Sequence, residues 1–139
     1  MILLDTNVIS EMMRREPDPA VVGWLDGLPS ESVWITSITV FEVRFCLDLL
    51  AAGRRRRALE EAFAKALEED FENRILAFDR AAAEAAAAIA ARERGLGRGI
   101  EIRDVQIAGI ATARRARLAT RNVRHFEGLG IALVNPWKI

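Results

Sequence analysis

Several features are scarce in this sequence of 139 residues, and each scarcity excludes a class of protein. The single cysteine, Cys46, can form neither an intramolecular disulfide nor a cysteine-based zinc cluster, which favours the cytosol. The longest alanine-rich run, residues 85–91, is far shorter than a membrane span. Asp5 also interrupts the opening apolar run, so no signal peptide is expected. These absences predict a cytoplasmic protein without a membrane segment.

Net charge is absent too, because 20 basic and 20 acidic residues cancel. A chain without net positive charge does not attract a nucleic acid as a whole, so any electrostatic attraction must come from a local group of basic residues. What the chain does have is 51% hydrophobic and 29% charged residues, too apolar for a disordered protein and too charged for a membrane protein. At this length the composition predicts one globular domain spanning residues 1–139.

Short apolar segments alternate with helical periodicity along the chain. The segments that read as strands are residues 1–4, 33–36, 74–78, 118–120 and 131–134. The segments that read as helices are residues 6–13, 19–28, 39–52, 54–69, 80–95 and 104–117. This alternation predicts the α/β class, with a three-layer α/β/α sandwich around a central, mainly parallel five-stranded sheet.

Polar residues collect where the predicted strands end. Asp5 follows the first strand, Ser37 follows the second and Asn122 follows the fourth. Parallel sheets bind ligands outside the carboxyl ends of their strands, so we expect these side chains to share one ligand-binding edge. The sequence therefore predicts an acidic, polar site there.

Three acidic residues allow both a structural and a functional interpretation. Asp5 could simply cap the next helix. Glu42 completes a capping-box pattern with Thr39, yet it stands in an apolar stretch where an unpaired carboxylate is costly. Asp104 could stabilise the first turn of a helix through the helix dipole. If the three carboxylates instead meet, they repel one another unless they hold a hard cation, which predicts Mg²⁺ or Mn²⁺.

Five motifs follow one another along essentially the whole chain. They are LLDTNVIS at residues 3–10, SITVFEV at 37–43, DVQIA at 104–108, TRN at 120–122 and NPW at 135–137. In this order and spacing they resemble the PIN-domain ribonucleases, specifically the VapC-type toxins of type II toxin-antitoxin systems. The final asparagine-proline-tryptophan is similar to that of the FitB-like branch.

The resemblance implies a Mg²⁺- or Mn²⁺-dependent endoribonuclease that hydrolyses RNA phosphodiester bonds. The acids of the family map onto Asp5, Glu42 and Asp104. A fourth family acid falls at Asn122, which brings no charge and is expected to orient a water molecule instead of binding the ion directly.

The resemblance also implies partners. These are an RNA substrate, a cognate VapB-type antitoxin, a second copy of the chain in a homodimer, and promoter DNA reached only through the antitoxin. Apolar helix surface in residues 21–28 and 41–50 is expected to contact the antitoxin.

Several basic side chains and one histidine also bear on the site. Arg54 to Arg57 place four positive charges at a helix start, where the dipole disfavours them, so they indicate either a phosphate-binding or partner-facing role or a solvated surface run. Arg103 could pair with Glu101 on the surface or contact phosphate, and the pairing with Glu101 is expected. His125 is expected to be a surface residue outside the site.

Two other functions remain open at this point. A haloacid-dehalogenase-like phosphohydrolase also starts with an apolar strand ending in aspartate, but it usually has a second acid two residues later, and Asn7 stands there. A catalytically idle PIN-like binding module would keep the fold without the chemistry. The presence of all three acids argues against it.

Overall fold

Five short parallel strands form the central sheet of the computed structural model, which describes residues 1–139. The strands are β1 (Ile2–Leu4), β2 (Val33–Thr36), β3 (Ile75–Leu76), β4 (Arg117–Ala119) and β5 (Leu133–Val134), in the order β3-β2-β1-β4-β5. All four strand pairings are parallel, with Ile2 opposite both Val33 and Arg117. The predicted five-stranded sheet is confirmed, with β1 at its centre.

Six α-helices cover the two faces of this sheet. They are α1 (Thr6–Met12), α2 (Pro19–Asp26), α3 (Ser37–Asp48), α4 (Arg54–Lys65), α5 (Arg80–Gly95) and α6 (Ile102–Arg114). A π-helical turn (Ala66–Asp70) extends α4, and short 3₁₀ turns lie at Ser30–Ser32 and Val123–His125. None of these helices combines the length and apolar character that crossing a bilayer requires.

The two hydrophobic cores follow from the alternation of side chains along each strand. Leu3 and Leu118 point to one face and pack with α5 and α6. Ile2 and Leu4 point to the other face, where α1, α2, α3 and α4 supply the remaining core residues. The three-layer α/β/α arrangement is therefore confirmed.

The apolar residues of α2 differ from expectation. Val21 is completely buried, and Trp24, Leu25 and Leu28 pack against the core instead of forming a free surface. This segment is amphipathic because it covers the sheet. It does not offer the exposed apolar face expected for an antitoxin.

Two helix starts also differ from the sequence-based boundaries. Helix α3 begins at Ser37 because the hydroxyl of Thr36 accepts the backbone N–H of Thr39 at 3.1 Å. The interpretation of Thr39 and Glu42 as a capping box was therefore wrong. Helix α6 begins at Ile102, after the cap residue Glu101, which places Asp104 inside the first turn.

A close approach between α5 and α6 fixes the second layer. A Cβ added at Gly109 would lie 2.5 Å from the carbonyl oxygen of Ala82 and 2.6 Å from the Cβ of Ala86. Only glycine allows α6 to sit this near α5. Because Asp104 is carried by α6, this contact also sets the position of that carboxylate relative to the sheet.

Candidate active site

Asp5 directly follows β1 and caps α1, as its structural interpretation predicted, and it also lies at the expected ligand-binding edge of the sheet. Its Oδ1 accepts the backbone N–H of Thr6 at 2.8 Å, and its Oδ2 accepts the hydroxyl of Thr120 at 2.7 Å and the amide of Asn7 at 3.3 Å. Burial raises the pKa of the Asp5 carboxyl, and these hydrogen bonds oppose the rise. The carboxylate is thus rigidly oriented and mostly removed from water.

Glu42 reaches the same place from α3. Its Oε1 accepts the hydroxyl of Thr6 at 2.8 Å, and its Oε2 lies 3.7 Å from the guanidinium of Arg103. Partial burial is the main reason that the pKa of Glu42 is raised, and the charges of Asp5 and Asp104 raise it further. Arg103 therefore supplies the positive charge that compensates a carboxylate in this apolar stretch. Arg103 also pairs with Glu101 at 3.2 Å, as expected.

Asp104 comes from the first turn of α6. Burial and the nearby charge of Asp5 raise its pKa, while His125 lowers it. Nδ1 of His125 lies 3.3 Å from Oδ2 of Asp104. His125 is a surface residue as expected, with 58% of its side chain exposed, but its contact with Asp104 was not predicted. The available signal was its place in the turn after β4, at the predicted ligand edge.

These three carboxylates line one open cleft, which we call the acidic pocket. Its volume is about 530 Å³, and its lining is almost entirely polar: Asp5, Thr6, Asn7, Ser10, Glu11, Arg14, Glu42, Asp104, Arg121, Asn122 and Trp137. The structure thus brings together all four residues that the sequence nominated, because Asn122 lines the same cleft.

Thr120 is a residue of the site that the sequence analysis missed. Its fully buried hydroxyl donates to Asp5 and accepts both the backbone N–H of Asn122 at 3.0 Å and the amide of Asn7 at 3.3 Å. One hydroxyl therefore uses its proton and both lone pairs to join the ends of β1 and β4. Its position directly after β4 was the signal that could have identified it.

A cation stands at the rim of the acidic pocket. The guanidinium of Arg121 lies 5.0 Å from the ring centre of Trp137, a cation–π distance, and its backbone N–H donates to the side chain of Asn7 at 3.1 Å. Arg121 is therefore held beside the acids by a stacked aromatic ring, with its donors available to an anion.

The donor set of the pocket fits a hard divalent cation. It offers carboxylate and amide oxygens, the ligands that Mg²⁺ and Mn²⁺ prefer. Burial is the main reason that the pKa values of Glu42 and Asp104 are raised, and repulsion from the neighbouring acids adds to it. A bound cation would relieve that repulsion. No three acidic, histidine or cysteine side chains stand together as a ready-made coordination shell, and Glu42 and Asp104 instead contact Arg103 and His125.

Comparison with known proteins identifies the family. The PIN-domain model matches residues 2–130. The chain belongs to the PIN-domain family. This membership decides against the haloacid-dehalogenase-like alternative.

Curated PIN-domain relatives match almost the full chain. It is 42% identical to the plasmid stability protein StbB of Pseudomonas syringae pv. tomato, 39% identical to the toxin FitB of Neisseria gonorrhoeae and 38% identical to the VapC ribonuclease Y4jK of Sinorhizobium fredii. Each match covers 99% of this chain and 99% of the relative. The crystal structure of FitAcB from Neisseria gonorrhoeae superposes with a TM-score of 0.92 and 39% identity, over 100% of both chains. The resemblance to VapC-type and FitB-like proteins is thereby confirmed.

Proposed function

We propose that residues 1–139 form one PIN domain that acts as a metal-dependent endoribonuclease, the toxin of a type II toxin-antitoxin pair. The observation that carries this proposal is the convergence of Asp5, Glu42 and Asp104 in one open cleft, each with a raised pKa. Relatives named as a VapC ribonuclease and a toxin support it. PIN-domain nucleases generally use divalent metals, and for this chain we propose Mg²⁺ or Mn²⁺.

Asp5, Glu42 and Asp104 would hold the cation. A bound divalent ion would supply charge neutralisation at the scissile phosphate and activation of the attacking water. Thr120 keeps the Asp5 carboxylate in one orientation, so the buried ligand needs no rearrangement before reaction. Asn122 supplies an uncharged amide that can orient water by a hydrogen bond.

Arg121 acts on the substrate. Its guanidinium is held over Trp137 at the rim of the acidic pocket, where it can donate charge-assisted hydrogen bonds to a phosphate oxygen. This cation helps the RNA backbone to approach a pocket whose own carboxylates would otherwise repel it. It also restrains the phosphate next to the cleaved bond.

Partners follow from the proposed role and from one exposed surface. Phe41 and Phe45 on α3 and Leu49 at its C-terminal cap are 56%, 48% and 71% exposed, and the rings of Phe41 and Phe45 stack at 6.0 Å. Large apolar side chains in a row on a helix are typical of a protein interface. We assign this α3 stripe to the contacts with a VapB-type antitoxin and a second subunit. Promoter DNA is then reached only through the antitoxin.

Induced expression without the antitoxin gene tests the proposal. Growth should stop, and sequencing of RNA 5′ ends should show new, discrete ends that are absent with the Asp5→Asn variant. Co-expression of a small reading frame immediately upstream should restore growth. Growth arrest without new RNA ends would instead support the catalytically idle binding module.

A further inference from the structure

A second cleft adjoins the acidic pocket, and we call it the arginine groove. It lies between α1, α3 and α4, with a volume of about 1130 Å³. The two clefts share Thr6, Ser10 and Arg14 in their linings, so the groove is continuous with the site that holds the carboxylates. A linear polymer bound in one cleft can therefore extend into the other.

Positive charge dominates the groove. Arg14, Arg15, Arg54 and Arg55 line it, against a single carboxylate, Glu16. Arg14 forms an ion pair with Glu11 at 3.1 Å. No ion pair or side-chain hydrogen bond occupies Arg15, Arg54 or Arg55, all of which are exposed. Their guanidinium groups are free to bind an anion.

The four arginines at the start of α4 do not share one role. Arg56 is used by the fold, because it pairs with Asp48 at 3.3 Å and with Glu60 at 3.2 Å. Arg54 and Arg55 instead face the groove, at a helix terminus where the dipole disfavours cations. Their placement at this terminus lowers the stability of the helix, and no acidic side chain of the protein pairs with them. This indicates that they bind an anion supplied by another molecule.

We infer that the arginine groove binds the sugar-phosphate backbone of single-stranded RNA next to the cleaved bond, an inference that rests on the proposed nuclease function. A strand whose phosphate lies in the acidic pocket must continue away from three carboxylates. The groove offers the continuation, with free guanidinium groups for phosphates and partly exposed apolar side chains, including Met13, Leu50 and Leu59, for the bases. The substrate is therefore a flexible single strand, recognised over several nucleotides.

The chain contains a matched control for this inference. Arg57 is exposed, lies on the same helix and has no ion pair, but it is not part of the groove lining. Arg57→Gln thus removes the same charge as Arg55→Gln from a different face of α4. We would compare both single variants and the Arg54→Gln, Arg55→Gln double variant in an Asp5→Asn background that does not cleave RNA.

Fluorescence anisotropy with a labelled single-stranded RNA across a range of salt concentrations gives the binding readout. The slope of log affinity against log salt should become shallower by about 0.7 for each groove arginine removed, the value for one phosphate contact with a single strand. Affinity at low salt should fall by roughly tenfold in the double variant. Arg57→Gln should leave the slope unchanged.

Cleavage by the otherwise native chain is measured separately. In the native background the double variant should raise KM for the longer RNA far more than KM for a dinucleotide, which is too short to fill the groove. Binding of RNA without any cleavage by the native chain would contradict the proposed nuclease function alone. Native cleavage with a double variant that binds like Arg57→Gln would overturn the groove assignment alone. A double variant that keeps its RNA affinity but no longer binds the co-expressed antitoxin would also overturn it, in favour of a protein partner.

Discussion

The hydroxyl of Thr120 donates a 2.7 Å hydrogen bond to Oδ2 of Asp5, from a position that is completely buried. This bond joins the carboxyl ends of the neighbouring strands β1 and β4. The same hydroxyl accepts the backbone N–H of Asn122, so one side chain fixes a proposed metal ligand and the residue beside it.

Replacing Thr120 with valine should impair RNA cleavage while the protein still folds. The substitution keeps the shape but removes the hydroxyl, so the N–H of Asn122 loses its partner and Oδ2 of Asp5 keeps only the 3.3 Å hydrogen bond from Asn7. We expect a loss of about 10- to 100-fold in kcat/KM, the usual scale for a group that orients a metal ligand, with weaker metal binding. Thr120→Ser retains the hydroxyl and should remain near native activity. A valine variant with native metal affinity and native kcat/KM would show that the bond is only structural.

The charge at position 122 should set the strength of metal binding. Asn122→Asp adds a fourth carboxylate to the acidic pocket, so it should tighten metal binding and lower the metal concentration for half-maximal activity. Asn122→Ala should reduce activity by about 10- to 100-fold because water is no longer oriented. Calorimetric titration of the metal-free protein measures the affinity. The role assigned to Asn122 fails if neither substitution changes the metal dependence.

The contact between α5 and α6 predicts a stability difference between two helical glycines. Gly109→Ala forces a methyl group against the backbone of Ala82, and overpacking of this kind costs about 1–3 kcal/mol. Gly23→Ala is the control, because no atom lies within 4 Å of the added Cβ, and alanine should stabilise α2 by about 0.5–1 kcal/mol. Urea denaturation measures both. Equal stabilities would refute the proposed close packing.

Glu11 should contribute to stability only above mildly acidic pH. Its carboxylate accepts the backbone N–H of Asp18 at 3.0 Å and pairs with Arg14, and these contacts lower its pKa from the ordinary value of 4.5. Because its pKa is lower in the folded than in the unfolded protein, the Glu11 carboxylate stabilises the fold. This contribution is complete at pH values above the unfolded-state pKa, and it is lost as the pH falls through the folded-state pKa.

The test compares Glu11→Gln with Glu31→Gln, an exposed residue without a partner. At pH 7 the Glu11 variant should be less stable than the native protein in urea denaturation. The difference in unfolding free energy between the Glu11 variant and the native protein should narrow as the pH falls below the ordinary glutamate pKa. The Glu31 variant should have the native unfolding free energy at every pH. A gap that does not depend on pH would mean that packing, and not charge, explains the effect.

The sequence predicts the fold well because apolar strands and capped helices are local signals. Asp18 and Asp79 cap α2 and α5 where their types predict. The start of α6 was harder to predict, since Glu101 and Asp104 are both acceptable near a helix N-terminus and only the backbone decides between them. Helix boundaries therefore depend on competition between neighbouring residues of similar preference.

The acids of the site could be predicted from position, whereas their contacts could not. Asp5 and Asn122 follow strands that end at one edge, so the topology alone places them together. The contacts of His125 with Asp104 and of Thr120 with Asp5 depend on side-chain directions in turns, for which sequence periodicity gives no information. The exposure of Phe41 and Phe45 agrees with the apolar surface expected in residues 41–50, whereas the same expectation failed for the buried Val21, because an apolar pattern does not distinguish a core from an interface.

Cleavage of RNA by the purified chain tests the central claim most directly. The native protein, Asp5→Asn and Asp79→Asn should be compared with Mg²⁺ or Mn²⁺ and with excess chelator. Asp79 is also a helix cap, and asparagine preserves a cap, so this variant controls for the structural part of the change at Asp5. We predict metal-dependent cleavage by the native and Asp79→Asn proteins and none by a folded Asp5→Asn protein. Cleavage by Asp5→Asn at the native rate, or undiminished cleavage in chelator, would contradict the account.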